Sequence, residues 1–304
     1  MSTTWAVTPR TVIEAFLPAD GGPVGLAGMY AAANAVGVAD QPLRLAIRRM
    51  VGAGELTQSG RGRGGQLTAT PAGRARLHRD RVALRLAFAQ DDGLAPWDGR
   101  WRLLALSTPE SERAIRDSLR RQLRDLGAAS LATSLYLSPH ALAGLLGAES
   151  EGRLVQAVAD DLDVRGLTDP RAITEALWPA GPVTAAYADL DRLLTQMGAA
   201  PAEPADVHAV LAGQLRLAHG LEQAIREDPL IPPELRAGSW EPTRIRSSWC
   251  AAWVRLEALL PQPLLHRGWL PGSARTRSGC QSQPQTQQQG QHHQSDQGHG
   301  AGGQ

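Results

Sequence analysis

Residues 40–70 constrain the fold most tightly: a helical pattern there runs directly into two short strand patterns joined by a glycine-rich turn. Plotted at about 100° per residue, Leu43, Ile47, Met50 and Val51 share one arc and are expected to face inward. Gln41, Leu45, Arg48 and Arg49 fall on the opposite side, with Arg44 on the flank. Asp40 is placed to cap this helix, which runs from Gln41 to about Val51, and Pro42 is tolerated in its first turn. After Gly54, the segments 55–59 (ELTQS) and 66–70 (QLTAT) read as strands, and the turn between them carries Arg61 and Arg63. Two further helices precede. One covers 8–17, with Thr8 as cap, Pro9 at its first position and Val12, Ile13, Phe16 and Leu17 as its apolar set; the other covers Val24 to Val36 and is broken by Gly37. Helix, turn, helix and hairpin in this order predict a winged helix-turn-helix over residues 1–90, closed by an arginine-rich helix over 71–90.

Charge agrees with that pattern. Residues 1–90 hold eleven arginines against five carboxylates, a net +6, whereas the whole chain carries +1. All 31 cationic residues of the chain are arginine. A basic module on a near-neutral chain points to a localised contact with a polyanion, here double-stranded DNA. Arg48 and Arg49 are expected to face the DNA, and Gln41 lies at the helix start, where major-groove readers place base contacts. Arg44 suits either a phosphate or an acid such as Glu14. Arg61 and Arg63 suit either phosphate and minor groove or a merely solubilising turn.

A second module follows the turn-rich linker 91–99 (DDGLAPWDG). Residues 101–107 read as a buried strand, 109–127 as an amphipathic helix, 131–139 as a strand, and PHALAGLL (139–146) as the start of a helix. A helix or strand is expected over 151–159, a strand near 162–166 and a helix over 170–178. This alternation predicts a ferredoxin-like central domain over 97–180. Helices at about 183–197, 204–227 and 243–260 make a C-terminal helical domain, 181–270, interrupted by a mobile-looking proline-rich loop over 228–242. Residues 271–304, rich in Gln, His and Gly, are expected to be disordered. The expected fold class is therefore multidomain α+β.

Several function classes find no support. Cys250 and Cys280 are too far apart for a metal knuckle and too few for a disulfide framework. His292, His293 and His299 lie in the tail, without fixed geometry for a metal. P-loop, GxSxG and HExxH motifs are missing, so neither enzyme chemistry nor a cofactor or metal is expected. The N-terminus lacks a basic start followed by an apolar run, and no apolar stretch approaches the ~20 residues of a membrane span, so a cytoplasmic location is expected.

Three ordered segments, 42–56 (PLRLAIRRMVGAGEL), 97–127 (WDGRWRLLALSTPESERAIRDSLRRQLRDLG) and 228–240 (DPLIPPELRAGSW), resemble the PaaX family, the repressors of phenylacetic-acid degradation. The resemblance spans about residues 8–260. It implies a winged helix, a ferredoxin-like domain related to CRISPR-associated endoribonucleases, and a helical C-terminal domain. It further implies a homodimeric transcription repressor, released from its operator by an aryl-CoA thioester such as phenylacetyl-CoA. The alternative is a metal-dependent nuclease on the central domain. The related nucleases carry a metal-binding Asp at the end of their first strand, where this chain has Ser107, and a hydroxyl cannot replace a carboxylate in holding a hard cation. The sequence after about 261 and the outward residues of the third helix depart from the family, so the operator is expected to be this chain's own. Arg116, Arg120, Arg121 and Arg124, interleaved with Asp117 and Asp125, read as a salt-laced helix face; the other reading is a second contact with DNA or coenzyme A phosphate. Trp178, Trp240, Trp249 and Trp253 read as core, with an aryl pocket as the other reading. The effector is expected in the central and C-terminal domains, beside the 228–242 loop.

Overall fold

The computed structural model describes residues 6–146, 150–198, 206–236, 238–262 and 264–265. The tail from 271, with its histidines and Cys280, lies outside the described residues. Chain order begins with α1 (Pro9–Phe16), β1 (Val24–Gly25), α2 (Leu26–Ala35) and α3 (Asp40–Gly52). Then come β2 (Leu56–Ser59), β3 (Gln66–Ala69), α4 (Pro71–Asp80) and α5 (Val82–Asp91). Thr8 caps α1 as expected, its hydroxyl accepting from Thr11 N at 3.1 Å. Thr70 caps α4 in the same way, accepting from Gly73 N at 3.0 Å. Gly73 is there because a Cβ would lie 2.0 Å from the Glu55 carbonyl oxygen, so α4 rests directly on the backbone leading into β2.

Local expectations need three corrections in this half. Val24 and Gly25 form a strand rather than the first turn of α2; they pair with Leu67 and Gln66 and build a three-stranded antiparallel sheet in the order β1-β3-β2. The helix expected over 71–90 is two helices, broken at Arg81 (φ −100°, ψ 7°), whose guanidinium reaches back to the Glu14 carbonyl at 3.1 Å. Asp40 is the first residue of α3, not its cap; Ala39 takes that position and makes no side-chain capping bond.

The central region holds β4 (Trp101–Leu106), α6 (Arg113–Asp125), β5 (Ala129–Ala132), β6 (Leu135–Ser138) and β7 (Leu154–Ala159). They form one antiparallel sheet in the order β5-β6-β4-β7, the ferredoxin-like arrangement. Residues 131–139 are not one strand, because the chain turns at 133–134 and splits them between β5 and β6. The helix expected from Pro139 is only a 3-10 turn at Ala143–Leu145, and the strand expected near 162–166 is reduced to an isolated Val164–Leu167 bridge. On one sheet face Leu104, Leu106 and Tyr136 pack with Leu119 and Leu123 of α6. On the other, Trp101 and Leu137 meet Ile173 of α7 (Pro170–Leu177), Trp178, and Ile231 and Leu235 of the proline-rich loop. The Trp101 and Trp178 rings stack at 6.3 Å and 3°.

Helices α8 (Ala180–Gly198), α9 (Val207–Arg226) and α10 (Glu241–Glu257) complete the chain. They do not close a core of their own. Leu215, Leu217, Leu221, Trp249 and Trp253 belong to the same apolar cluster as Ile13, Met29, Leu43, Ile47 and Phe88. Helix α9 packs on α1, α2 and α5, and is buried nearly all round.

The described part of the proline-rich loop packs into the body. Leu230, Ile231 and Leu235 are buried, and Leu230 sits at φ 53°. Its carbonyl accepts from Gln90 Nε2 at 2.7 Å and lies 2.8 Å from His140 Nε2. Burial holds the His140 imidazole below its ordinary value, against the pull of that carbonyl, which favours the neutral ring with the proton on Nε2. Behind the loop lies Arg246, with 0% of its side chain exposed. Its Nε and Nη2 donate to the two Asp91 oxygens at 2.6 and 2.7 Å, and Nη1 donates to Tyr187 OH at 2.7 Å and Asp228 Oδ2 at 3.2 Å. Tyr187 OH donates in turn to Asp228 at 2.9 Å. Arg236 donates to the Ile231 carbonyl at 2.6 Å and to Gln90 Oε1 at 2.8 Å.

Two outcomes test this packing. Arg246→Ala leaves Asp91 and Asp228 buried without a cation and is expected to cost about 3–5 kcal/mol in urea unfolding; a loss below about 1 kcal/mol would show the cluster to be dispensable. The second concerns Glu222 on α9, which keeps a narrow edge of solvent contact. Burial first, then the charge of Glu14, push its pKa from 4.5 up to about 7. Across that window the folded chain keeps a proton the unfolded chain has released, so stability falls as pH rises. Glu222→Gln should flatten the fall in Tm between about pH 5 and about pH 8 and raise Tm at the alkaline end; equal pH profiles for the two proteins would refute the assignment.

Candidate nucleic-acid interface

Helix α3 turns Leu43, Ile47 and Met50 into the core, as its periodicity requires. Gln41, Arg44, Leu45, Arg48 and Arg49 are exposed. The turn from α2 is set by Gly37 at φ 82°, whose N–H bonds the Asn34 carbonyl at 3.0 Å. The β2–β3 hairpin pairs Leu56 with Ala69 and Ser59 with Gln66. Its tip needs Gly60 at φ 74° and Gly62 at φ 59°, and a Cβ on Gly65 would lie 3.0 Å from the Ser59 carbonyl oxygen.

Arg61 and Arg63 are both exposed at that tip, but they differ. Arg63 folds back onto the start of α3, bonding Asp40 Oδ2 at 3.0 Å, with its guanidinium 5.7 Å from the Tyr30 ring centroid. Asn34 Nδ2 bonds the other Asp40 oxygen at 3.2 Å. Asp40 thus ties the end of α2, the start of α3 and the hairpin tip together. The Arg63 and Asn34 hydrogen bonds hold its carboxyl below the usual value of 3.8. Sequence reasoning gave Asp40 to the helix cap and missed this bridge, because nothing local marks a partner 23 residues away.

The basic excess is sorted in space. Arg10 bonds Glu14 at 2.6 Å and Glu55 at 2.7 Å, and Arg76 bonds Glu55 at 3.0 Å and Asp80 at 2.8 Å. Glu14, the partner considered for Arg44, is therefore taken by Arg10, with Arg76 at 3.4 Å. Among the described residues, Arg44, Arg48, Arg49 and Arg61 make no ion pair or hydrogen bond. Positive charge is consequently concentrated on the outward side of α3 and the hairpin, the arrangement that attracts phosphate.

A helix–turn–helix and hairpin fused to a ferredoxin-like body through a shared helical core defines the class. Residues 94–162 match the family model of the PaaX protein central Cas2-like domain. The match is confined to the central domain, which is similar to that of PaaX proteins. Among solved structures, the uncharacterized protein Rv0674 from Mycobacterium tuberculosis is similar, with a TM-score of 0.55 and 22% identity over 83% of this chain and 97% of that one. No curated protein matches the sequence. Among the described residues no helix is long and apolar enough to cross a membrane, and no group of three or more His, Cys, Asp or Glu could hold a metal ion.

Asp40→Asn should release the hairpin tip without disturbing the core. Hydrogen exchange of the 60–65 amides is expected to quicken while that of α1 and α9 stays unchanged; unaltered exchange at the tip would remove the bridge from the account.

Proposed function

We propose that this chain is a DNA-binding transcription regulator, a dimeric repressor whose operator is released by an aryl-CoA thioester. The observation that carries the DNA reading is the unpaired arginine surface of α3 and the hairpin, on a chain whose other N-terminal arginines are largely occupied by acids or carbonyls. Helix α3 enters the major groove. Arg48 and Arg49 contact base edges, Gln41 and Arg44 lie at the entering end, and Arg61 meets the backbone, with Arg63 joining it if the Asp40 pair opens. Two copies set their α3 helices about 34 Å apart on an inverted repeat.

The effector class rests on the likeness of the central domain to that of PaaX proteins. Within the central domain and the proline-rich loop the expected location narrows, because Trp178, Trp249 and Trp253 are buried in cores. A cavity of about 200 Å³ lies where Leu86, Trp97, Arg102, His140 and Pro232 meet. That is below the roughly 300–1,000 Å³ of ordinary ligand pockets. It has room for an aryl-acetyl group and none for a whole coenzyme A. Entry of the thioester therefore widens the junction between head and body, and its preference for the widened form sets the limit on release.

A mobility-shift assay on the DNA upstream of the chain's own coding region tests both parts. Arg48→Ala and Arg49→Ala should each cost about 1–3 kcal/mol on the specific site, while Arg61→Ala should weaken all sequences alike and reduce the salt slope by about one. Full affinity in the Arg48/Arg49 double variant would overturn the groove assignment. Retention of the operator in the presence of every aryl-acyl thioester would remove the effector and leave the DNA reading standing.

A further inference from the structure

On the far side of the central sheet from the Trp101–Trp178 stack, α6 and the β5–β6 hairpin enclose a solvent-open cavity of about 450 Å³. It is lined by Asp117, Arg120, Arg121, Arg124, Thr133 and Tyr136, three cations against one anion. A surface ion-pair lattice would explain such a helix only if the carboxylates took up the arginines. Asp117 takes Arg120 at 3.5 Å and Arg113 at 3.8 Å. Among the described residues, Arg121 and Arg124 have no carboxylate partner. Arg124 donates only through Nε, to the Arg120 carbonyl at 3.2 Å, which leaves its two terminal amino groups unpaired among the described residues.

The remaining lining is built rather than incidental. Arg120 is anchored by Nη2 to the Thr133 carbonyl at 2.9 Å, and its Nε is buried without a hydrogen-bond partner. Tyr136 is 3% exposed, yet it lines the cavity, and among the described residues its hydroxyl makes no hydrogen bond. Forked guanidinium donors with a buried phenol at the floor match the tetrahedral, multiply charged oxygens of phosphate. The volume exceeds what a single phosphate fills. A concave site with three arginines suits a compact polyanion better than an extended strand, which would be met by a ridge or groove.

We propose that this cavity binds the diphosphate group of a small phosphorylated molecule, independently of the DNA-facing surface of α3. The full chain is titrated with inorganic diphosphate in the absence of DNA, using calorimetry. Saturable one-site binding is expected. Arg121→Ala and Arg124→Ala should each weaken it about tenfold, and Tyr136→Phe, which keeps the buried ring, by about threefold. Arg192→Ala, on α8, removes the same charge outside the cavity and should leave the affinity unchanged. The idea fails if no saturable binding appears up to about 10 mM diphosphate, or if the Arg121 and Arg124 variants bind as the parent does. It also fails if a short random-sequence duplex is bound through Arg121 and Arg124 while diphosphate neither binds nor displaces it, since the surface would then be a DNA contact. The readout needs no operator, so its result stands apart from that of the mobility shift.

Discussion

Arg246 is a full positive charge with no access to water, and the architecture is arranged around satisfying it. Asp91 grips it from the end of α5, Asp228 from the start of the proline-rich loop and Tyr187 from α8. Burying three charges is costly, and an apolar cluster of the same volume would serve stability as well or better. What the ionic arrangement supplies is direction. A forked guanidinium accepts the Asp91 carboxylate in one orientation, so the end of α5, the loop and two C-terminal helices can close in only one register. Leu230 is driven to φ 53° in the same turn, and this points its carbonyl at Gln90 and His140. One buried arginine thereby ties the end of α5, the start of the proline-rich loop, α8 and α10 together.

The parts of this protein that could be read from its sequence are those whose cause is local. The inward arc of α3, the glycine turn of the hairpin, the cap at Thr8 and the strand at 101–106 depend on neighbours within a few residues. Errors arose where long-range packing decides. Residues 131–139 have the composition of one strand, yet the sheet needs a turn at 133–134 to place β6 beside β4. The proline-rich loop has the composition of an open loop; its Ile231 and Leu235 instead floor the second sheet face, and Leu230 joins the core shared by the N-terminal and C-terminal helices. Arg246 and Arg236 were indistinguishable from solvated arginines, since Asp91 and Gln90 lie about 150 positions earlier. The candidate interface shows the same division. Exposure of Arg44, Arg48 and Arg49 follows from helical period, whereas the Arg63–Asp40 bridge does not.

The core shared by α9 with α1, α2 and α5 has a mechanical consequence. An N-terminal domain that owns its core can be carried on a flexible linker and swivel freely. Here the head borrows a wall from the last third of the chain and cannot swivel without exposing that wall. Helix α9, at 20 residues, is about 30 Å long and acts as a lever. It meets α1 and α2, and these in turn carry α3. Such a molecule resembles a caliper more than a pair of beads: its N-terminal helices are set by the body they are packed against.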